Sequence, residues 1–400
     1  MPLRRASSTT AYWLVFVVFI VAMLGNALPT PLYVLYQSRW HFSPGVLTLV
    51  FATYSAGTLS ALLLAGRASD QVGRRPVLAT ALALSALSTV AFIAAGGTAW
   101  LFAGRLLSGL SAGLVTGTGT AMLSELAGPE RLRRASVLAT VATTAGIGLG
   151  PPIAGALAEY APHPTVLVYW LYLALLVLVA PALLVVPETR TTRSRLVLRF
   201  RRLHVPEASR AAFLGACLAA FVSLALAGLF TALAPTLLRQ VLHVRNHALG
   251  GVLVGALFLA STVAQAGLGR QPPRRTVRLS MVLVLVSLAL IVTSLRVGSV
   301  GFFLVTAAVS GAAGGAAFVG SLAAANAAAP PERRGEVVST YFTSAYLGLA
   351  FPVIGVGFAA EHISLQSAIR AFAVVLGVLC VVTLLAARGI AEAAPGQEPS

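Results

Sequence analysis

The chain has 400 residues, 58% of them hydrophobic and only 10% charged, with a mean hydropathy of +0.89. Soluble domains carry about 25% charged residues, so the composition excludes a soluble globular protein and points to an all-α integral membrane protein. The formal net charge is +17, and all 28 basic residues are arginine. They fall in short loops between apolar runs rather than on one soluble face, which excludes nucleic acid and makes anionic lipid headgroups the expected partner.

A bilayer is crossed by about 20 apolar residues. Runs of that length predict twelve spans, at 11–36, 45–65, 76–96, 99–124, 135–158, 165–187, 210–238, 248–268, 277–295, 299–327, 336–360 and 366–387. The first follows Arg4 and Arg5 but is too long for a signal peptide, and no small-residue cleavage site leads into a soluble domain. Most arginines, Arg67, Arg74, Arg75, Arg131, Arg134, Arg274, Arg275 and Arg333 among them, fall on the side of the two termini. The other side holds Arg39, Arg239, Arg245, Arg296 and Arg370. Cytoplasmic loops carry the excess, so both termini are expected in the cytoplasm of a cell whose plasma membrane holds the protein.

The polar interval 188–209 divides the spans six and six. It predicts an N-terminal six-helix bundle over 1–187, a cytoplasmic linker over 188–209, a C-terminal bundle over 210–390 and a disordered tail over 391–400. Repeated fragments support the division: Pro129-Glu130-Arg131 returns as Pro331-Glu332-Arg333, Gly66-Arg67 as Gly269-Arg270, and Arg74-Arg75 as Arg274-Arg275, each roughly 200 residues later.

Span one carries Asn26, Pro29 and Pro31. The prolines remove ladder donors and kink the helix. Asn26 is polar at membrane depth and faces the bundle interior, either lining a substrate path or bonding a neighbouring helix.

The loop after span two reads G-R-A-S-D-Q-V-G-R-R from Gly66 to Arg75. Gly66 and Gly73 let the chain turn tightly, and Arg67, Arg74 and Arg75 surround Asp70, the one aspartate of the chain. The stretch resembles the loop between helices 2 and 3 of the major facilitator superfamily, roughly G-x-x-x-D-[RK]-x-G-R-[RK]. Gly66, Asp70, Gly73, Arg74 and Arg75 match, and Gln71 stands where a basic residue is usual. The resemblance implies a conformational gate, in which the aspartate and arginines lock the two halves while the site faces outward.

In span four Arg105, Gly109 and Gly113 follow one another at spacings of four and so share a face. The run resembles the family's fourth-helix pattern R-x-x-x-G-x-x-x-G, where the arginine is linked to proton coupling. The alternative is an arginine snorkelling to the interface. Ser108, Ser111, Thr116, Thr118 and Thr120 suggest a polar wall on the same span. Span five reads G-I-G-L-G-P-P-I-A-G and resembles the family's antiporter signature G-x-x-x-G-P-x-x-G-G, with Gly146, Gly150, Pro151 and Gly155 in place and Ala154 departing. The resemblance implies a closely packed, pivoting helix and export; the alternative is packing alone.

In the second half Gln265, Asn326, Thr340, Tyr341, Thr343, Ser344 and Tyr346 are the polar candidates, and Gly311, Gly314, Gly315 and Gly320 mark tight packing. Cys217 and Cys380 lie in apolar runs and read as core residues. No acidic residue lies in the middle of a span. Glu125 and Glu159 sit near span ends, so a cationic substrate is disfavoured against a neutral, amphipathic or anionic one. No Walker A run, Gly-x-Ser-x-Gly or HExxH motif occurs, and neither metal nor cofactor is expected.

The resemblance, of the drug or sugar efflux type, implies a fold of twelve transmembrane helices in two six-helix repeats. It implies a monomeric secondary transporter that exports a small organic compound in exchange for protons by alternating access. An uncoupled facilitator or importer is the alternative, and a non-transporting receptor or scaffold is the alternative of another class.

Overall fold

The computed structural model describes residues 7–190, 194–197, 203–207, 209–269 and 271–386. The expectations for Arg4, Arg5, Arg270 and the tail 391–400 lie outside these residues. Among the described residues the chain is helical and free of strands. The first crossing is broken into α1 (Ser8–Leu24), a single 3-10 turn (Thr30–Leu32) and α2 (Tyr33–Trp40). It returns as α3 (Pro44–Ala65), and a short α4 (Ala68–Val72) leads to α5 (Arg74–Ile93). Then come α6 (Thr98–Ala127), α7 (Leu132–Tyr160) and a sixth crossing made of α8 (Leu167–Val179) and α9 (Ala182–Val185). The second half is α10 (Arg210–Gln240), α11 (His247–Leu268), α12 (Pro273–Val297), α13 (Val300–Ala327), α14 (Arg334–His362) and α15 (Leu365–Ala386).

Eleven of the crossings are long and apolar enough to span a membrane, and the broken first one completes twelve. Side chains such as Leu178, Val374, Leu259 and Phe351 point outward from the bundle and stay exposed, as lipid contact requires.

The expected kink in span one is a full interruption. It begins at Gly25, before the prolines, because Asn26 N bonds Met23 O and Thr30 N bonds Ala27 O in place of the regular ladder. The sixth span, read from sequence as one helix, breaks at Ala180–Pro181, where proline has no N–H to continue the ladder. By contrast α7 stays helical through Pro151 and Pro152.

All helices run between two ends. One holds the described parts of the arginine-rich loops, the described residues joining α9 to α10, and both ends of the described chain; the other is here termed the opposite end. The halves meet along two helix pairs, α7 with α11 and α3 with α14. The repeat makes these pairs equivalents of each other: α7 corresponds to α14, and α3 to α11.

Candidate functional site

The interruption in the first crossing builds the central site. With Thr30 N turned to Ala27, the Asn26 carbonyl is left without its helical donor and accepts Arg105 Nη1 at 2.5 Å. Arg105, on α6, is 2% exposed, and the Asn26 side chain lies beside it at 6%. The guanidinium carbon sits 4.5 Å from the Tyr54 ring centre and 5.5 Å from that of Phe51, both on α3. This excludes the snorkelling alternative: the side chain turns inward, into a cavity between the halves. Nε of Arg105 has no hydrogen-bond partner among the described residues.

The cavity measures about 160 Å³, roughly ten times what one water needs on the same measure. The first half contributes Asn26, Phe51, Tyr54, Arg105, Thr143, Thr144 and Ile147. The second contributes Ser223, Thr231, Phe258, Ser261, Gln265, Ser310, Phe342 and Tyr346, with the small residues Gly311, Gly314 and Gly315 of α13. Among the described residues its only charged lining residue is Arg105.

Of the polar residues singled out in the second half, Gln265 and Tyr346 line this space. Tyr341 bonds Ser321 at 2.9 Å, Ser344 donates to Cys217 O at 3.0 Å, and Asn326 donates to Leu322 O at 2.9 Å. The expected polar wall of α6 does not reach the cavity. Ser111 donates to Ala81 O, Ser108 to Arg105 O and Thr116 to Ala112 O, because a hydroxyl in an apolar bundle turns back to a nearby helix carbonyl. Thr143, Thr144, Ser223, Thr231 and Ser261 escaped sequence reasoning, since single hydroxyls in long apolar runs carry no pattern of their own.

At the arginine-rich end a second cluster forms around Arg74, which is 7% exposed. Its Nη1 meets Asp70 Oδ1 at 2.7 Å and donates to Ser69 Oγ at 2.6 Å. Nη2 donates to Glu125 Oε1 at 2.7 Å, and Nε reaches the same carboxylate at 3.2 and 3.3 Å. Thr189 donates to Glu125 from the other side. Of the three arginines in the motif only Arg74 pairs with Asp70; Arg75 donates instead to Leu184 O at 3.1 Å.

Gly73, at φ 109°, turns the chain between α4 and α5, and Glu188 caps the new helix by accepting from Arg74 N (2.8 Å) and Arg75 N (3.1 Å). Gly66, in contrast, has the ordinary helical φ of −61°, which any residue adopts, so the turn there does not depend on glycine. Gln71, the departure from the family pattern, holds the chain that follows α9: its carbonyl accepts Ser194 N at 2.8 Å and its side-chain oxygen accepts Val197 N at 2.9 Å. Further on, His204 N donates to Thr340 Oγ on α14 at 2.9 Å.

Gly109 and Gly113 let α6 approach α3 at Tyr54 and Thr58, and Gly146 and Gly150 let α7 approach α1 at Ile20 and Leu24. Gly155 faces the other half, against His247 and Ala248, and the carbonyl of Pro151 abuts Gly251 of α11.

The helices of the two halves are bonded from the cavity to the opposite end. Thr262 donates to Thr144 at 2.7 Å. Glu159, at the end of α7, accepts His247 N at the start of α11 (2.8 Å), and Glu361, at the end of α14, accepts Gly45 N at the start of α3 (3.0 Å). The two carboxylates are repeat equivalents, each four residues after a glycine (Gly155, Gly357) that brings the facing backbones together. This Gly-x-x-x-Glu repeat was readable in the sequence and was missed.

Towards the arginine-rich end the halves part around a cleft of about 250 Å³. It is lined by Asp70, Arg74 and Thr118 on one side and by Val338, Ser339 and Phe342 of α14 on the other. Phe342 borders both this cleft and the central cavity. Among the described residues Asp70 makes its ion pair with Arg74 and none with α14.

Two parallel six-helix repeats enclosing one mid-depth cavity define a membrane carrier. The model of the Major Facilitator Superfamily matches residues 15–271 and 268–400, and the chain belongs to that family. It is 28% identical over 193 residues to the uncharacterized MFS-type transporter YceJ of Bacillus subtilis, a match covering 48% of this chain and 50% of that protein. It is 36% identical over 96 residues to the multidrug resistance protein MdtL of Escherichia coli, covering 24% of each. The matches thus span half or less of these relatives' lengths.

Among solved structures, a bacterial homolog of the human lysosomal transporter Spinster, in an inward-facing and unoccupied conformation, superposes with a TM-score of 0.71 over 97% of this chain and 99% of that one, at 16% identity. A POT family transporter in complex with 5-aminolevulinic acid gives 0.77 over 96% of both, at 12% identity. These two establish the fold alone.

Proposed function

We propose that the protein is a plasma-membrane exporter that exchanges a small organic compound, of the drug or sugar type, for protons by alternating access. The observation that carries this reading is the central cavity, closed along α7–α11 and α3–α14 at the opposite end and bordered by a cleft at the arginine-rich end. The positive-inside rule makes the arginine-rich end cytoplasmic, so the state described is open inward, ready to load from the cell. The antiporter-like run around Gly146, Gly150, Pro151 and Gly155 and the local likeness to MdtL support export.

The Asp70–Arg74–Glu125 cluster acts as the conformational gate: with the cleft open Asp70 serves only Arg74, and closure brings the start of α14 against it. The same cluster in an outward-facing state would hold the cytoplasmic end shut, which biases the equilibrium between the two states. Arg105 and Asn26 serve coupling or substrate binding. That no carboxylate lines the cavity among the described residues favours one second reading, an uncoupled facilitator.

The test uses purified protein in liposomes carrying a pH-sensitive dye, with an imposed pH gradient. Compound-dependent proton movement is expected, strongly reduced in Asp70→Asn. Substrate flux without proton movement selects the facilitator, and normal flux in Asp70→Asn removes the gate.

A further inference from the structure

Arg105 is the one charge in the central cavity, and it is incompletely used. A guanidinium has five N–H donors and does not titrate in a protein. Here Nη1 is taken by the Asn26 carbonyl, the face is covered by Tyr54 and Phe51, and Nε, itself buried, has no hydrogen-bond partner among the described residues. A buried cation without a counter-charge is costly, and the cavity supplies none. The edge that this unpartnered Nε shares with Nη2 has the two-donor geometry that matches a carboxylate.

The remaining walls are mostly aromatic and aliphatic, from Phe51, Ile147, Phe258 and Phe342, with hydroxyls and the Gln265 amide placed singly. We infer that the substrate class is an organic monoanion, a carboxylate held by the Nε–Nη2 edge of Arg105 with its apolar body among these side chains. The inference rests on the transport reading above and makes it specific.

The test reads binding rather than flux. Wild-type protein in lipid nanodiscs is heated with benzoate, salicylate or 1-naphthoate, each against its own amide and against benzylamine. The carboxylates are expected to raise the unfolding midpoint by several degrees, and the amides and the amine to leave it unchanged. Arg105→Gln should abolish the carboxylate response and Arg105→Lys should keep part of it, since an ammonium supplies the charge without the paired edge. If Arg105→Gln fails to fold, the comparison of acid with amide in the wild type decides.

An amide that performs as well as its acid, a full carboxylate response in Arg105→Gln, or no response from any of the acids overturns the inference. The liposome assay keeps the two readings apart. Carboxylate binding without coupled proton movement defeats proton exchange and leaves the anion site standing, whereas proton movement driven by a neutral compound does the reverse.

Discussion

Arg74 carries two carboxylates of unequal standing. Glu125 engages it through three contacts and is 32% exposed, whereas Asp70 meets it once, from the short helix before the Gly73 turn, and is 48% exposed. A half-exposed ion pair contributes only a few tenths of a kcal/mol, so double-mutant cycles on unfolding should give a larger coupling for Arg74–Glu125, on the order of 1 kcal/mol, than for Arg74–Asp70. Equal couplings would contradict this geometry. It follows that Asp70→Asn should disturb the state equilibrium far more than the stability of the fold. Sequence made Asp70 and its neighbouring arginines visible because they are adjacent in the chain. Glu125 and Glu188 join them only through folding, from 51 and 114 residues away, and no local pattern announces them.

At the level of elements, the start of α5 is the most constrained point. A side chain at Gly73 would be strained at φ 109° and would meet the Glu188 carboxylate at 2.6 Å. Gly73→Ala should therefore cost about 1–3 kcal/mol, seen as a lowered unfolding midpoint, with partial recovery when Glu188 is shortened to Asp. Gly357 plays a different part. A Cβ there would lie 2.1 Å from Thr48 Oγ, so Gly357→Val should hold α14 off α3. The result should be greater labelling of cysteines placed at the opposite end and slower substrate flux.

The helices themselves were legible from apolar run length, and twelve were expected and found. Two interruptions were harder to read. In span one the break starts at Gly25 because a carbonyl–arginine bond from a distant helix stabilises it. At Pro181 the apolar run simply continues through the break.

Across the whole molecule, the opposite end is held by Glu159 and Glu361, each on a helix N-terminus of the other half. A carboxylate at such a position contributes about 0.3–1 kcal/mol, and the two lie in separate pairs and should add. Glu159→Gln with Glu361→Gln should then move the inward to outward population ratio by roughly 3- to 30-fold, measurable as spin-label distances across the two ends. An unchanged distribution would remove the latch. The anionic cargo proposed above would add a further whole-molecule consequence. An inside-negative potential favours its exit by about 2.3 kcal/mol per 100 mV, so export should accelerate when a potassium diffusion potential is imposed at constant pH.

The repeat showed itself in the arginine loops, whose composition is distinctive. Its counterpart at the opposite end is a glycine and a glutamate four apart, too sparse to stand out. Because both glutamates accept main-chain N–H groups, the bond has no address in the partner's side chain: His247→Ala leaves it intact. Position 247 is nonetheless the first residue of its helix and follows an extended Asn246, the setting in which proline is best tolerated. His247→Pro would therefore delete one hydrogen atom's worth of the closure while sparing the helix, a single-donor lesion that reports how much of the carrier's cycle hangs on it.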